Sequence, residues 1–155
     1  MTQTITSQRP FEANRDAESP NRNLTPITTE LDGTDRLVVG GCRLSDLAER
    51  YGTPLYVLDE ATVRATCCAY REALNKHYAG PSLPIYASKA NSSLVMSSLA
   101  ASEGLGLDAV SAGELLTALC GGMPGERMVL HGNNKSDEEL LLAYANKVTI
   151  VVDNQ

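Results

Sequence analysis

The sequence predicts an α/β protein built on a parallel sheet, and three observations carry that prediction. From Pro81 to Gln155 short apolar runs alternate with stretches of helical spacing, the pattern of successive βαβ units. Glycines punctuate the alternation, with Gly104 after one helical stretch and Gly121-Gly122 after the next. The chain has 155 residues, 43% of them hydrophobic, which is enough to bury one real core.

Residues 1–27 are polar and mixed in charge, with Pro10, Pro20 and Pro26 and few aliphatics, and read as a disordered arm. The pattern tightens from Thr28. Arg36-Leu37-Val38-Val39 reads as a short strand that Gly40-Gly41 breaks. Leu44, Leu47, Ala48 and Tyr51 recur at helical spacing, and Gly52 stands where a helix C-terminus places it. After Thr53-Pro54, Leu55-Tyr56-Val57-Leu58 reads as a second strand. Asp59 is a suitable N-cap for a helix in which Val63, Cys67, Tyr70 and Leu74 trace one apolar face to about His77.

Beyond Pro81 the reading is a strand over 83–89, a helix over 92–103, a strand over 107–110 and a helix over 112–120. A strand at Met128–Leu130, a helix at 137–147 and a strand at 148–152 complete it. The repeat has the length of one unit of a (βα)8 barrel, which needs about 250 residues to close. A small open α/β sheet and the first half of such a barrel both fit this periodicity.

Bulk properties exclude several classes. A formal charge of −6, with 13 basic residues scattered along the chain, leaves no stripe for nucleic acid or a membrane surface. Cys42, Cys67, Cys68 and Cys120 show no metal-ligand spacing, so no metal site is expected. They read as reduced thiols serving as small core residues in a cytoplasmic protein. No leader-like apolar region and no run of membrane-spanning length is present.

Chemistry concentrates at strand ends. In Leu83-Pro84-Ile85-Tyr86-Ala87-Ser88-Lys89-Ala90-Asn91 the apolar run ends on a lysine, with Ile85, Ala87 and Lys89 alternating onto one face. An amine held at the end of a buried strand loses hydration and is freed as a nucleophile, as carbonyl chemistry requires. The bland alternative is a lysine that closes a strand and points into solvent. Active sites of parallel α/β folds gather at the carboxyl ends of strands, where Asp108 and His131 would share a rim with Lys89. Asp108 could pair with Lys89, hold a polar cofactor group, or be a solvated loop carboxylate. A histidine in the place of His131 is more often a hydrogen-bonded core or rim residue than a catalyst. Ser111 and Glu114 form a capping box, as do Ser136 and Glu139, to which no chemistry is assigned. Gly104-Leu105-Gly106 precedes a strand and reads as a turn, not a phosphate loop.

Several motifs together resemble the fold-type III pyridoxal-phosphate-dependent decarboxylases. They are Tyr86-Ala87-Ser88-Lys89-Ala90-Asn91, the run from Gly104 to Glu114 (GLGLDAVSAGE), and His131-Gly132-Asn133-Asn134-Lys135-Ser136. Tyr51-Gly52-Thr53-Pro54-Leu55-Tyr56-Val57-Leu58-Asp59 is similar to the same family. The likeness runs in register from about Val38 to Asp153 and is greatest to the diaminopimelate decarboxylase branch.

The resemblance implies that residues 60–155 are the first half of a pyridoxal-phosphate-binding (βα)8 TIM-like barrel, and that 28–59 belong to a β-rich second domain. It implies that Lys89 holds the cofactor covalently, that Ala87 leaves room beside the ring, and that Asp108 and His131 face the cofactor. Glu114 matches another acidic position of the motif. The implied reaction is decarboxylation of meso-diaminopimelate to L-lysine in a homodimeric enzyme. The family chain is more than twice as long, and its phosphate loop, ring-stacking histidine, pyridine-nitrogen partner and substrate arginine have no counterpart here. The implied state is therefore an N-terminal fragment inactive alone. The alternatives are a non-catalytic pyridoxal-phosphate-binding module of the same fold, an ornithine or arginine decarboxylase relative, and a structural α/β domain in which Lys89 is ordinary.

Overall fold

The computed structural model describes residues 24–153, so most of the predicted N-terminal arm lies outside the described residues. The chain forms two compact units, one ending at Asp59 and the other starting at Glu60.

The first unit is a three-stranded antiparallel sheet followed by one helix. Strands β1 (Glu30–Leu31), β2 (Leu37–Val39) and β3 (Cys42–Arg43) pair in that order, with Val38 opposite both Glu30 and Arg43. The β1–β2 turn is organised by Asp32, whose Oδ1 accepts from the Thr34 amide at 2.8 Å, the Thr34 hydroxyl at 2.7 Å and the Arg36 amide at 3.1 Å. Gly40 and Gly41 join β2 to β3 with φ of 58° and 77°, the pair of left-handed residues that a tight hairpin demands. Helix α1 (Leu44–Tyr51) stops at Gly52, as the sequence predicts.

One expected element does not form. Leu55–Leu58 is extended but pairs with no strand among the described residues, and Tyr56 is fully exposed. β-propensity describes fit to a sheet surface, and without a partner ladder the run remains irregular.

The second unit is a parallel sheet covered by helices. Helix α2 (Glu60–His77) comes first, followed by β4 (Ile85–Ala87), α3 (Leu94–Ser102), β5 (Gly106–Ala109), α4 (Ala112–Cys120), β6 (Met128–Leu130), α5 (Asp137–Ala145) and β7 (Thr149–Ile150). The four strands are parallel in the order β4-β5-β6-β7.

The ladder register separates two faces. Tyr86, Leu107 and Met128 lie abreast, as do Ala109, Leu130 and Ile150 one pleat further on. These side chains meet Ala100, Leu115, Ala118 and Ala143 of α3, α4 and α5 in the core. On the opposite face Ala87, Asp108, Val129 and Thr149 form one row across all four strands. None of the four is fully buried.

Three side-chain expectations need correction. Tyr70 is 65% exposed and does not belong to the buried stripe of α2. That stripe centres on Cys67, and α2 is fastened instead through Arg64, which meets Glu103 at 2.6 Å and Ser102 at 3.0 Å, and Arg71, which donates to the Glu103 carbonyl. Of the cysteines only Cys67 is core; Cys42 and Cys120 are exposed. Strand β4 ends at Ala87, so Lys89 is not on the strand.

Candidate functional site at the carboxyl rim of the sheet

Lys89 sits in a single 3-10 turn, Ser88–Ala90, between β4 and α3. The strand alternation that the sequence predicts through Lys89 stops two residues short of it. Ser88 is 2% exposed and anchors the turn in the core, while Lys89 itself is exposed. The desolvation expected at the end of a buried strand is therefore not supplied by this segment.

The turn is tied at its far end. Asn91 accepts the Tyr86 hydroxyl on its backbone oxygen at 3.0 Å, and its side-chain oxygen accepts the Ser93 amide at 3.0 Å. Burial pushes the Tyr86 phenol up, so the hydroxyl stays protonated and donates.

Asp108 follows from the ladder. It lies directly beside Ala87 in the register and projects from the face that the helices leave open. His131 comes one residue after β6, its amide bonded to the Ala109 carbonyl at 2.8 Å. Nδ1 of His131 is 3.3 Å from Oδ1 of Asp108, within ion-pair distance but off hydrogen-bond geometry. That buried oxygen consequently has no hydrogen-bond donor. No ion pair joins Asp108 to Lys89, so the carboxylate's neighbour is the imidazole rather than the amine.

The loops around this rim are secured by carboxylates. Ser111 caps α4 through the Glu114 amide at 3.3 Å, but Glu114 does not return the bond to Ser111. Its carboxylate reaches one residue further back, to the Val110 amide at 2.6 Å. The Ser136/Glu139 capping box is complete, and Glu139 also accepts the Ala112 amide of the preceding unit at 3.0 Å. The bonds from Ser136 and Ala112 hold the Glu139 carboxyl below the usual carboxylate range. In the loop after His131, Lys135 donates to the Gly132 carbonyl, so that amine is engaged within its own turn.

The residues fit an aldehyde cofactor with polar substituents. A small side chain, Ala87, and the Asp108 carboxylate share the face away from the helical layer, and an exposed primary amine, Lys89, follows two residues after Ala87. No group of three or more His, Cys, Asp or Glu side chains arranged to hold a metal ion occurs among the described residues. No described helix is long and apolar enough to cross a membrane.

Comparison with known proteins gives the chain a family. Residues 60–155 match the family described as "Pyridoxal-dependent decarboxylase, pyridoxal binding domain". The diaminopimelate decarboxylase of Synechocystis sp. is 45% identical over 144 residues, an alignment covering 88% of this chain and 31% of that protein. The diaminopimelate decarboxylase of Bacillus subtilis is 48% identical over 132 residues, covering 80% of this chain and 30% of its own. The crystal structure of the M. jannaschii diaminopimelate decarboxylase with L-lysine superposes with a TM-score of 0.72 at 31% identity, over 82% of this chain and 30% of that one. The chain thus spans about 30% of the length of the relatives it matches. Pyridoxal phosphate is the cofactor of this domain, and the chain belongs to the pyridoxal-dependent decarboxylase family.

Proposed function

We propose that Lys89 is the attachment point for pyridoxal phosphate and that this chain is the N-terminal part of a diaminopimelate decarboxylase. The observation that supports the reading best is the juxtaposition at one rim. Lys89 follows β4 directly, and Asp108 is aligned with Ala87 and 3.3 Å from His131. When bound, the cofactor supplies an electron sink for the pair left behind as carbon dioxide departs.

The chain's own residues divide the remaining work. Lys89 would hold the cofactor through its amine, at the cofactor's aldehyde group. Ala87, with only a methyl group beside Asp108, leaves space over the open face. Asp108 would offer its carboxylate to a donor on the cofactor. His131 stands beside that carboxylate, with Nδ1 3.3 Å from Oδ1.

The substrate of the complete enzyme is meso-diaminopimelate and its product L-lysine, in a cytoplasmic homodimer. Residues 28–59 contribute to its β-rich second domain. The 155 residues by themselves do not turn over substrate, because the relatives are about three times longer and the remaining groups must come from that additional length.

The test is addition of pyridoxal phosphate, borohydride reduction and peptide mapping, with Lys89→Ala as control. A single label on Lys89, lost in the control, is expected; labels scattered over several lysines would overturn the assignment. Decarboxylation of meso-diaminopimelate on adding the remaining two-thirds of a relative would separate an enzyme from a non-catalytic cofactor-binding module.

A further inference from the structure

We infer that Tyr86 is a positioning residue for Lys89, acting through a hydrogen bond that closes the turn on which the lysine stands. The inference rests on the assignment of Lys89 as the cofactor lysine. It starts from the way the chain crosses from β4 to α3.

A single 3-10 turn has few hydrogen bonds of its own and poor geometry, so its conformation is set by what holds its ends. The near end is secured by the β4–β5 ladder at Ala87 and by burial of Ser88. The far end is Asn91, which is exposed and extended, with φ −161° and ψ 102°. The N-cap of helix α3, Ser93, makes no side-chain capping bond of its own.

Asn91 is held by two other contacts. Its side chain reaches forward to the Ser93 amide, which fixes it to the helix, and its carbonyl accepts the Tyr86 hydroxyl, which fixes it to the strand. The Tyr86 ring packs against the core on the helical side of the sheet, so the hydroxyl is delivered from a rigid base. The bond spans five residues, from the middle of β4 to the residue after the turn, with Lys89 inside the loop it closes. The backbone that carries Lys89 is therefore held by a phenol that packs on the helical side of the sheet. Rigid support of this kind keeps a nucleophile within the narrow range of productive geometry.

The substitution Tyr86→Phe removes the hydroxyl and leaves the packing ring. The test uses the whole chain and two readouts. One is the ratio of reduced pyridoxal-phosphate adduct at Lys89 to that at Lys76, an exposed lysine on α2 that serves as internal reference. The other is amide hydrogen exchange across residues 88–91. With the circular dichroism spectrum unchanged, Tyr86→Phe should lower the Lys89:Lys76 ratio about two- to tenfold, the factor commanded by one neutral hydrogen bond. Exchange in the turn should rise by a similar factor.

Faster exchange with an unchanged ratio would overturn the inference, since the bond would then hold the turn without serving the lysine. No change in either readout would overturn it as well. Should Tyr86→Phe fail to fold, 4-fluorophenylalanine at position 86, which fills the place of the hydroxyl without a donor, should lower the ratio in the same direction and decides the matter. Were Lys89 not selectively modified in the unsubstituted chain, the cofactor assignment would fall, while the exchange readout would still tell a held turn from a free one.

Discussion

The Glu139 carboxylate accepts the backbone N–H of Ala112 at 3.0 Å, although the two residues belong to successive βα units. The same side chain accepts the Ser136 amide at 2.9 Å, so one carboxylate both caps α5 and holds the first turn of α4. Together with Glu114, which takes the Val110 amide, it immobilises the loop that follows Asp108.

This arrangement predicts acid sensitivity at the rim. The Ser136 and Ala112 amides lower the folded-state affinity of Glu139 for a proton. Its contribution is therefore complete above the carboxylate's unfolded value, about pH 4.3, and is lost as pH falls through the lower folded value. Protection of the Ala112 amide should decline below about pH 4. In Glu139→Gln protection should be weaker at neutral pH and lack that acid step, as read by residue-resolved hydrogen exchange.

Asp108→Asn separates stability from cofactor capture. A buried carboxylate oxygen without a donor destabilises the fold, and a neutral amide in its place relieves part of that penalty. The substitution should stabilise by about 1 kcal/mol, or about 4–8 °C in melting temperature. Labelling of Lys89 by pyridoxal phosphate should fall in the same variant. Calorimetry and peptide mapping on one preparation check both halves.

Gly125→Ala should be among the most damaging small substitutions in the second unit. Gly125 opens the 3-10 turn before β6, and an added Cβ would collide with the Asn146 carbonyl at the end of α5. Backbone meets backbone there, so no flexible side chain can yield, and a loss of about 3 kcal/mol is expected. Gly113→Ala is the contrasting case: its Cβ would meet only the Ser111 hydroxyl at 3.9 Å, inside helix α4. A gain of about 0.5–1 kcal/mol is expected there, and urea denaturation of the two variants measures both.

The sequence discloses what periodicity and local chemistry encode. Helix α4 and strand β6 occupy the residues predicted for them, because caps, glycine stops and short apolar runs act over a few positions. The alignment of Asp108 and His131 at one rim follows from strand ends in a parallel sheet. The Leu55–Leu58 run misleads, since an apolar sequence with β-propensity does not reveal whether a neighbouring strand exists. The Lys89 turn is hidden because alternation through Ile85, Ala87 and Lys89 looks the same whether the strand ends at 87 or 89. The S-x-x-E motif discloses the Glu139 cap at Ser136, but the Glu139–Ala112 and Tyr86–Asn91 bonds reach backbone atoms brought near by tertiary structure, which no motif encodes.

The tie between successive units also has a meaning in time. Protein synthesis delivers the chain from its N-terminus, so α4 can coil onto β5 while α5 is still inside the ribosome. Ala112 must then wait for a partner 27 residues downstream. The Asp108 loop is thus a nascent structure with one fastening missing, and it becomes fully tethered only when Glu139 emerges.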